Sequence, residues 1–221
     1  MKKRQSHNFF REYAATGSDN QSIIFSKDIY YYIIIKRFMD ILLSIIGLVI
    51  TLPLLLSISL LIKIETPGPV FYLQERVGKN GKYFNVIKLR SMNVDAERNG
   101  AQWAHKNDPR VTKIGSFIRK TRIDELPQLI NVIKGDMSLI GPRPERPLFT
   151  AQFNDEIPGF VNRLSVKPGV TGWAQINGGY DITPKEKLEL DLYYIENCSI
   201  TMDLKIIIRT VQVVLTGEGA R

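Results

Sequence analysis

The sequence predicts an α+β protein that is mainly helical and is anchored by one N-terminal membrane helix. Three observations support this prediction: an uncharged run from Ile41 to Ile62, two strand-like stretches between residues 70 and 89, and helical spacing of apolar residues beyond residue 111. Hydrophobic residues make up 44% of the 221 residues, which is enough for a real core. We therefore expect three segments: a tail over residues 1–35, a membrane helix over 36–64 and a folded domain over 65–221.

The composition bounds the partners and the metal chemistry. Thirty basic residues against 22 acidic ones give a formal charge of +8, which implies an anionic partner such as nucleic acid, anionic lipid headgroups or phosphorylated substrates. The single cysteine, Cys198, excludes an internal disulfide and a cysteine-based zinc site. With His7 and His105 as the only histidines, a histidine metal cluster is also excluded. Any metal should therefore be a hard cation on oxygen ligands, with Mg²⁺ the first choice.

The first element is the membrane helix. Its uncharged run has 22 residues, close to the length that crosses a bilayer, and it starts too far from the N-terminus for a usual signal peptide. Pro53 lies at its middle, where the missing backbone donor should kink the helix. Basic residues on both flanks give no clear orientation for a crossing, so a spanning helix and a re-entrant helix both remain open. Four hydroxyls are available for the freed carbonyls, those of Ser44, Thr51, Ser57 and Ser59.

A β-hairpin is predicted after the membrane helix. Residues 70–74 and 82–89 have strand character, and the glycine-rich stretch 78–81 between them is typical of a turn. Lys88 and Arg90 stand at the end of the returning strand. They either point into a phosphate site or are solvated cations at a strand end, and the pattern leaves both interpretations open.

Two short helices are predicted next, after a loop over residues 92–109 with one short helical piece. Residues 111–120 place Ile114, Phe117 and Ile118 on one side, so this basic amphipathic helix lies either in the lipid headgroup layer or on the core. Residues 126–134 repeat apolar residues at a spacing of three and four, and Gly135 is expected to end that helix.

The C-terminal third predicts loops and two longer helices. Residues 145–165 look helical in patches, broken by Pro158-Gly159, and residues 167–179 form a Gly/Pro-rich loop of a length that usually binds something. Helices are predicted over 184–197 and 203–215. The last helix is strongly apolar and either rests on the membrane, which we favour, or completes the core.

Two adjacent carboxylates, Asp124 and Glu125, suggest chemistry on phosphate groups. They follow three cations between residues 119 and 122 and precede a stiff Gly-Pro-Arg-Pro turn at 141–144. In such a cluster the carboxylates can hold a metal or attack phosphorus, while guanidinium groups hold anionic oxygens. An ordinary helix start, with acids in its first turn and a tolerated proline, explains the same residues. A helix starting at Leu126 would also lower the pKa of the Asp124 carboxyl through its unpaired N–H groups.

Taken in order, the motifs resemble the bacterial sugar transferases, the monotopic phosphoglycosyl transferases that start capsule, exopolysaccharide, O-antigen and protein-glycan assembly. No single motif is decisive, but the order is very specific, and it extends from about residue 36 to residue 220. The markers are Lys36-Arg37-x-x-Asp40, Pro53, Gly68-Pro69-Val70, Gln74-x-Arg76-x-Gly78, Lys88-x-Arg90-Ser91-Met92, Asp124-Glu125-Leu126-Pro127-Gln128, Gly135-Asp136-Met137-Ser138, Gly141-Pro142-Arg143-Pro144 and Lys167-Pro168-Gly169-x-Thr171-Gly172-Trp173.

The resemblance implies a reaction and roles for individual residues. The family moves a sugar 1-phosphate from a UDP-sugar to polyprenyl phosphate, usually undecaprenyl phosphate, and releases UMP. In the family the Asp of the Asp-Glu pair attacks phosphorus and carries a covalent phosphosugar, which corresponds to Asp124 here. The Glu binds Mg²⁺, which corresponds to Glu125. The family's Arg five residues before the Asp holds phosphate, which corresponds to Arg119, and its Arg between two prolines shapes the site, which corresponds to Arg143. Beside these, we expect phosphate or substrate contacts from Lys88, Arg90 and Lys167.

The resemblance also bears on the anchor and the partners. The Pro-kinked helix of the family is re-entrant, which favours that alternative for Pro53 and implies a monotopic protein on the cytoplasmic face of the bacterial inner membrane. Residues 65–221 are then a cytoplasmic, membrane-associated catalytic domain, with interfacial amphipathic helices around its site. The expected partners are a UDP-sugar, undecaprenyl phosphate and the lipid bilayer. A homodimer and downstream glycosyltransferases are further expectations, whereas nucleic acid is not expected.

Two departures from the family pattern limit what the resemblance implies. Gly179 stands where some members carry Arg, so the identity of the sugar stays open, and Cys198 stands where Trp is common. The chain lacks the extra transmembrane helices and additional domain of long members, so we expect a bare catalytic unit.

The alternative function is a membrane-anchored basic binding or scaffold module without catalysis. It explains the charge and the anchor but not the ordered motifs.

Overall fold

The computed structural model describes residues 27–98, 100, 102, 108–178 and 182–216. Within these ranges the chain is a mainly helical α+β protein with one long N-terminal helix, as predicted. The helices are α1 (Lys27–Glu65), α2 (Lys113–Lys120), α3 (Gln128–Lys134), α4 (Pro147–Glu156), α5 (Trp173–Asn177), α6 (Pro184–Glu196) and α7 (Ile200–Thr216). The strands are β1 (Phe71–Val77), β2 (Tyr83–Leu89), β3 (Ser138–Ile140) and β4 (Gly169–Thr171). Short 3₁₀ helices cover Lys79–Gly81, Ile123–Glu125 and Phe160–Ser165.

Helix α1 is longer than the predicted membrane helix. It begins at Lys27 rather than at residue 36, so the last nine residues of the predicted tail are helical, while residues 1–26 lie outside the described residues. Its 39 residues form one helix that includes Pro53. The segment Tyr30–Glu65 is long and apolar enough to cross a membrane, with a mean hydropathy of 2.7, and only 11% of its most apolar window is buried. Because a core helix would be mostly buried, this exposure favours an association with lipid.

Three of the four hydroxyls expected to compensate for Pro53 do bond helix carbonyls. The bonds run from Thr51 to Gly47 (2.7 Å), from Ser57 to Pro53 (3.0 Å) and from Ser59 to Leu55 (2.6 Å). The carbonyl that Pro53 deprives of its N–H partner belongs to Val49, four residues earlier. The prediction is therefore wrong for these hydroxyls, which bond other turns. The fourth hydroxyl, Ser44, is buried without a hydrogen-bond partner among the described residues.

The first half of α1 is tied to the domain by polar contacts. Lys36 pairs with Asp203 of α7 at 2.8 Å. Arg37 donates to the backbone carbonyls of the last turn of α3 at 2.7 and 2.9 Å. Asp40 accepts hydrogen bonds from the Ser138 hydroxyl at 3.1 Å and from the next backbone N–H at 2.9 Å. These bonds hold the helix against α3, β3 and α7.

The second half of α1 is tied to the same domain, largely by apolar packing. Ile58 and Ile62 are buried in a cluster with Leu89 and Ile118. At the end of the helix, the Glu65 carboxylate accepts the first backbone N–H groups of α2 at distances of 2.7 to 3.3 Å. The domain therefore lies beside α1 both before and after its proline.

The predicted hairpin is confirmed. Strand β1 pairs antiparallel with β2, from Phe71 opposite Leu89 to Val77 opposite Tyr83. The first strand runs three residues beyond its predicted end at residue 74. Asn80 in the turn has a φ of 54°, a left-handed conformation that asparagine tolerates better than most residues.

A second, smaller sheet was missed. Strands β3 and β4 pair in parallel, with Ser138 opposite Gly169 and Ile140 opposite Thr171. The prediction of a loop over residues 167–179 is therefore wrong in part, because this stretch contains β4 and helix α5, while residue 179 lies outside the described residues. The approach of the two strands is close: a Cβ atom built on Gly169 would overlap the Gly141 backbone.

For helices α2 and α7 the sequence left open whether they rest on the membrane or pack on the core. Each of them has one buried and one exposed face. In α2, Ile118 is fully buried and Ile114 packs beside it, whereas Phe117 is 53% exposed. In α7, Ile206 is fully buried. The exposed apolar residues of α7 are Leu204, Ile208, Val211 and Val214. Both helices thus complete the core and also present an apolar surface, so neither alternative excludes the other.

Candidate active site

A cavity of about 430 Å³ lies between the hairpin, the end of α2 and helices α4 to α6. Its wall is rich in charge. The cationic residues that line it are Arg76, Lys88, Arg90, Arg110, Arg119, Arg122, Arg143, Arg146 and Lys187. The acidic ones are Glu97, Asp124, Glu125 and Glu145. Because cations outnumber carboxylates, this wall suits an anionic ligand.

The acid pair reaches the cavity on a tight turn. Helix α2 ends at Lys120, and the 3₁₀ helix Ile123–Glu125 starts after Arg122, whose φ of 58° is left-handed. Such a conformation costs a non-glycine residue about 1 kcal/mol or more, and strained residues of this kind cluster at functional sites. The turn brings Asp124 and Glu125 together into the cavity wall.

The environment of Asp124 differs from the predicted one. Helix α3 begins at Gln128, so Asp124 belongs to a separate 3₁₀ helix rather than to the start of α3. Burial, followed by the negative charge of Glu125, raises the pKa of the Asp124 carboxyl to about 6, although Lys88, Arg119 and Arg143 oppose this rise. The expectation that a helix field lowers this pKa is therefore wrong, because Asp124 does not stand at the start of α3 and its burial raises the pKa instead. A carboxyl with this pKa is still mostly ionised at neutral pH.

Glu125 is held by two of the predicted phosphate-binding cations. Its Oε1 atom accepts from Lys88 Nζ at 2.8 Å and from Arg143 Nη2, and its Oε2 atom accepts from Arg143 Nη1 at 3.1 Å. These charges hold the pKa of the Glu125 carboxyl well below its usual range despite burial. The structure thus brings together Lys88, Arg143 and the acid pair, residues that are up to 55 positions apart in the sequence.

Arg143 is itself held in place by a buried arginine that sequence reasoning missed. Arg163 donates to the backbone carbonyl of Arg143 at 2.8 Å and pairs with Asp191 at 2.6 and 2.8 Å. The side chains of Arg163 and Asp191 are each only 1% exposed. A buried arginine requires such a partner, because an unpaired charge away from water is costly. This pair therefore fixes the Pro-Arg-Pro turn relative to the acid pair.

A second missed network lies in the same wall. Glu145 pairs with Lys187 of α6 and lies 3.6 Å from Arg76, which also donates to the carbonyl of Pro144 at 2.9 Å. Lys187, then Arg163 and Arg76, lower the pKa of the Glu145 carboxyl to about 2 against the effect of its burial. The sequence offered two weak signals for this network, the motif position of Arg76 and the mixed charge of the stretch that forms α6.

Of the remaining predicted site residues, two line the cavity and one does not. Arg119, in the last turn of α2, lines the cavity, as expected for a phosphate contact. Arg90 also reaches the wall, but its guanidinium donates to the carbonyls of Thr66 and Pro67 at 2.9 and 2.6 Å and thereby holds the exit turn after α1. Lys167 is not among the described residues that line the cavity. It lies near Arg37 and Gly135, at the end of α3.

The donor set of the acid pair fits a magnesium ion. Among the described residues there is no group of three or more His, Cys, Asp or Glu side chains that could hold a metal. Mg²⁺ does not need one, since it usually takes one or two carboxylates and completes its shell with water and substrate phosphates. Glu125 Oε2 accepts a single hydrogen bond and keeps one lone pair free, and Asp124 lines the cavity beside it.

Comparison with known proteins identifies the class. The chain belongs to the bacterial sugar transferase family, whose model matches residues 31–217. This membership confirms the resemblance inferred from the motifs.

Individual relatives are described by their reactions or their products. The chain is 51% identical over 193 residues to the UDP-N-acetylgalactosamine-undecaprenyl-phosphate N-acetylgalactosaminephosphotransferase of Aeromonas hydrophila, covering 86% of this chain and 46% of that protein. It is 44% identical over 183 residues to the UDP-glucose:undecaprenyl-phosphate glucose-1-phosphate transferase of Escherichia coli, covering 80% and 39%. It is 42% identical over 197 residues to the exopolysaccharide production protein PSS of Rhizobium leguminosarum, covering 85% and 98%. The chain thus spans less than half of the first two relatives and nearly all of the third.

Proposed function

We propose that this chain transfers a sugar 1-phosphate from a UDP-sugar to undecaprenyl phosphate and releases UMP, as the first membrane step of capsule, exopolysaccharide or related glycan assembly. The observation that carries the proposal is the position of Asp124 in a cation-lined cavity, next to a Glu125 already paired with Lys88 and Arg143. The names of the relatives support the two substrates.

The reaction proceeds in two displacements at one phosphorus atom. An oxygen of the Asp124 carboxylate attacks the phosphorus that carries the sugar, and the bond from this phosphorus to the bridging oxygen breaks. UMP leaves with that oxygen, and an acyl phosphate joins Asp124 to the sugar phosphate. A phosphate oxygen of undecaprenyl phosphate then attacks the same phosphorus and frees the carboxylate. Splitting one difficult transfer into two displacements is the usual advantage of a covalent intermediate.

The other residues align the groups and neutralise charge. Arg119, Lys88 and Arg143 lie in the cavity wall where anionic oxygens of a diphosphate would be stabilised. Glu125, with Asp124 beside it, would hold Mg²⁺, which when bound supplies charge neutralisation at the phosphate oxygens. The pKa of about 6 leaves the Asp124 carboxyl largely ionised at neutral pH and therefore competent as a nucleophile.

We further propose that α1 is re-entrant, with the folded domain on the cytoplasmic face of the inner membrane. A straight helix of this length would extend over about 58 Å, well beyond the hydrocarbon core. Its two ends would then lie on opposite sides of the bilayer. Yet Lys36 in the first half and Glu65 at the end both contact the same domain, whereas the middle around Pro53 is largely exposed. The exposed apolar faces of α2 and α7 support contact with the same membrane surface.

Topology can be tested independently of activity. With Cys198 replaced by Ser, single cysteines are placed in the N-terminal tail and at the C-terminus. A re-entrant α1 predicts that both resist a membrane-impermeant thiol reagent in intact cells and that both react after permeabilisation. Labelling of the tail alone in intact cells would establish a spanning helix.

The covalent intermediate is tested by trapping. The full chain in detergent is incubated with Mg²⁺ and a panel of UDP-sugars labelled with ³²P in the β-phosphate, without acceptor lipid. We expect UMP release in a burst equal to the amount of enzyme, and label on the peptide that contains Asp124. Asp124→Asn should show neither, whereas the matched control Asp155→Asn, an exposed acid on α4, should behave like wild type. UMP release that requires polyprenyl phosphate would exclude the two-step route, and no release under any condition would favour a scaffold.

A further inference from the structure

One side-chain amide in the cavity wall has no partner. Gln175 lies on α5 and lines the cavity, and its Nε2 and Oε1 atoms are both buried without a hydrogen bond among the described residues. Native structures satisfy the great majority of buried polar groups, so a donor and an acceptor left unpaired on one side chain require an explanation. Gln74, in the same wall, shows the usual situation, because its Oε1 accepts from Arg76.

The position of Gln175 is fixed relative to the acid pair. Helix α5 begins at Trp173 with Gly172 as its N-cap, and a Cβ atom built on Gly172 would overlap the carbonyl of Gly141. The two backbones are therefore in direct contact, and the Gly141 turn continues to Arg143, which pairs with Glu125. Gln175 thus stands on an element that packs against the turn carrying a site residue, rather than on an independent surface loop.

The chemistry of a carboxamide restricts what it can recognise. Phosphate oxygens only accept hydrogen bonds, and the cations of the wall already suit them. A carboxamide offers one donor group beside one acceptor, so its complement is a neutral group with an acceptor beside a donor. A UDP-sugar carries such an arrangement in two places: the imide edge of uracil and the hydroxyl groups of the sugars.

We propose that Gln175 is a substrate-binding residue that recognises a neutral donor–acceptor edge of the UDP-sugar. The amide turns from its buried position into the cavity when the substrate enters, and there recovers both hydrogen bonds. This inference rests on the proposed function and adds to it a contact with the uncharged part of the donor, which the motif residues do not supply.

The test is Gln175→Leu, which keeps the size of the side chain and removes both polar atoms. We expect the KM for the UDP-sugar to rise about tenfold while kcat stays within about threefold, since a contact made equally in ground and transition state alters KM alone. The apo protein should keep or raise its Tm, because an apolar group replaces an unpaired buried amide. Gln152→Leu, an exposed glutamine on α4, is the matched control and should leave KM unchanged.

Titration with UMP and CMP distinguishes the two groups that Gln175 could bind, the imide edge of uracil and the sugar hydroxyls. If Gln175 pairs with uracil, Gln175→Leu weakens UMP binding and reduces the preference for UMP over CMP. If it pairs with sugar hydroxyls, UMP affinity is unchanged while the KM for the UDP-sugar still rises. Either result supports the inference. Unchanged KM and unchanged UMP affinity in Gln175→Leu would overturn it and leave the proposed function intact, whereas absence of UMP release by the wild type would overturn the function itself.

Discussion

Two glutamates in the wall of one cavity, Glu125 and Glu145, are each held by cations, and yet the regions around them differ. Glu145 pairs with Lys187 and lies near Arg76. Glu125 pairs with Lys88 and Arg143 in much the same way. The difference is Asp124, which stands beside Glu125, has no ion pair among the described residues and has a raised pKa. A paired carboxylate is therefore weak evidence for an active site, and an adjacent carboxylate left without an ion pair is stronger evidence.

The largest effect is expected for Asp124→Asn. If Asp124 is the nucleophile, UMP release should fall by at least about a thousandfold, because an amide cannot form the acyl phosphate. The Tm should stay equal or rise, because the change removes a buried negative charge adjacent to Glu125. Steady-state UMP release and thermal unfolding of the same preparation measure both effects. A helix-cap role would leave activity nearly unchanged, since asparagine caps as well as aspartate.

Glu125→Gln and Glu145→Gln test the difference between the two glutamates directly. Each leaves buried cations without their carboxylate, so each should destabilise the fold by about 3 kcal/mol. Only Glu125→Gln should also slow UMP release and shift its Mg²⁺ dependence to higher concentration, because only Glu125 would hold the ion. Denaturant unfolding and Mg²⁺ titrations separate the two effects. An equal shift of the Mg²⁺ dependence in Glu145→Gln would mean that the ion is held elsewhere.

The low pKa of Glu145 predicts how stability depends on pH. The folded value is about 2 and the ordinary value 4.5, so the ionised carboxylate stabilises the fold above pH 4.5. This contribution, about 3 kcal/mol, should be lost as the pH falls from 4.5 towards 2. Unfolding of wild type and Glu145→Gln, followed from pH 6 to pH 2.5, should show a steeper loss for wild type. Parallel curves would contradict a Glu145 ion pair.

The sequence predicted those parts of the fold that depend on residues close together in the chain. The hairpin and the helix that Gly135 terminates were both predicted, because a period or a glycine marks each within a few residues. A motif marks the acid pair just as locally, and its catalytic role stays a prediction. Strands β3 and β4 were not predicted, since three residues are too short for a period, and their partners are about 30 positions apart. The two charge networks were also not predicted, because their partners are distant in the sequence: Glu145 lies 42 residues from Lys187, and Arg163 lies 28 residues from Asp191.

The pKa of Asp124 shows a further limit of sequence reasoning. The sequence places acids before a helix, which predicts a lowered pKa. The fold instead buries this carboxyl beside Glu125, and burial depends on every element around the cavity. Desolvation is a property of the assembled wall and has no local signature.

The smallest effect is expected for a substitution of Lys167. This cation belongs to one of the motifs, but it is not among the described residues that line the cavity. Burial, and then the neighbouring Arg37, lower the pKa of its ammonium group, so the residue sits where a second positive charge is unfavourable. Lys167→Met should therefore keep the KM for the UDP-sugar within about twofold and leave the Tm unchanged or slightly raised, because it removes a half-buried ammonium group whose charged form is disfavoured and which does not line the cavity. Lys88→Met is the matched comparison, since it removes a lysine that does line the cavity and pairs with Glu125. It should lower kcat/KM at least about tenfold. A large rise in KM for Lys167→Met would contradict this prediction and support the substrate contact that we expected from the motif.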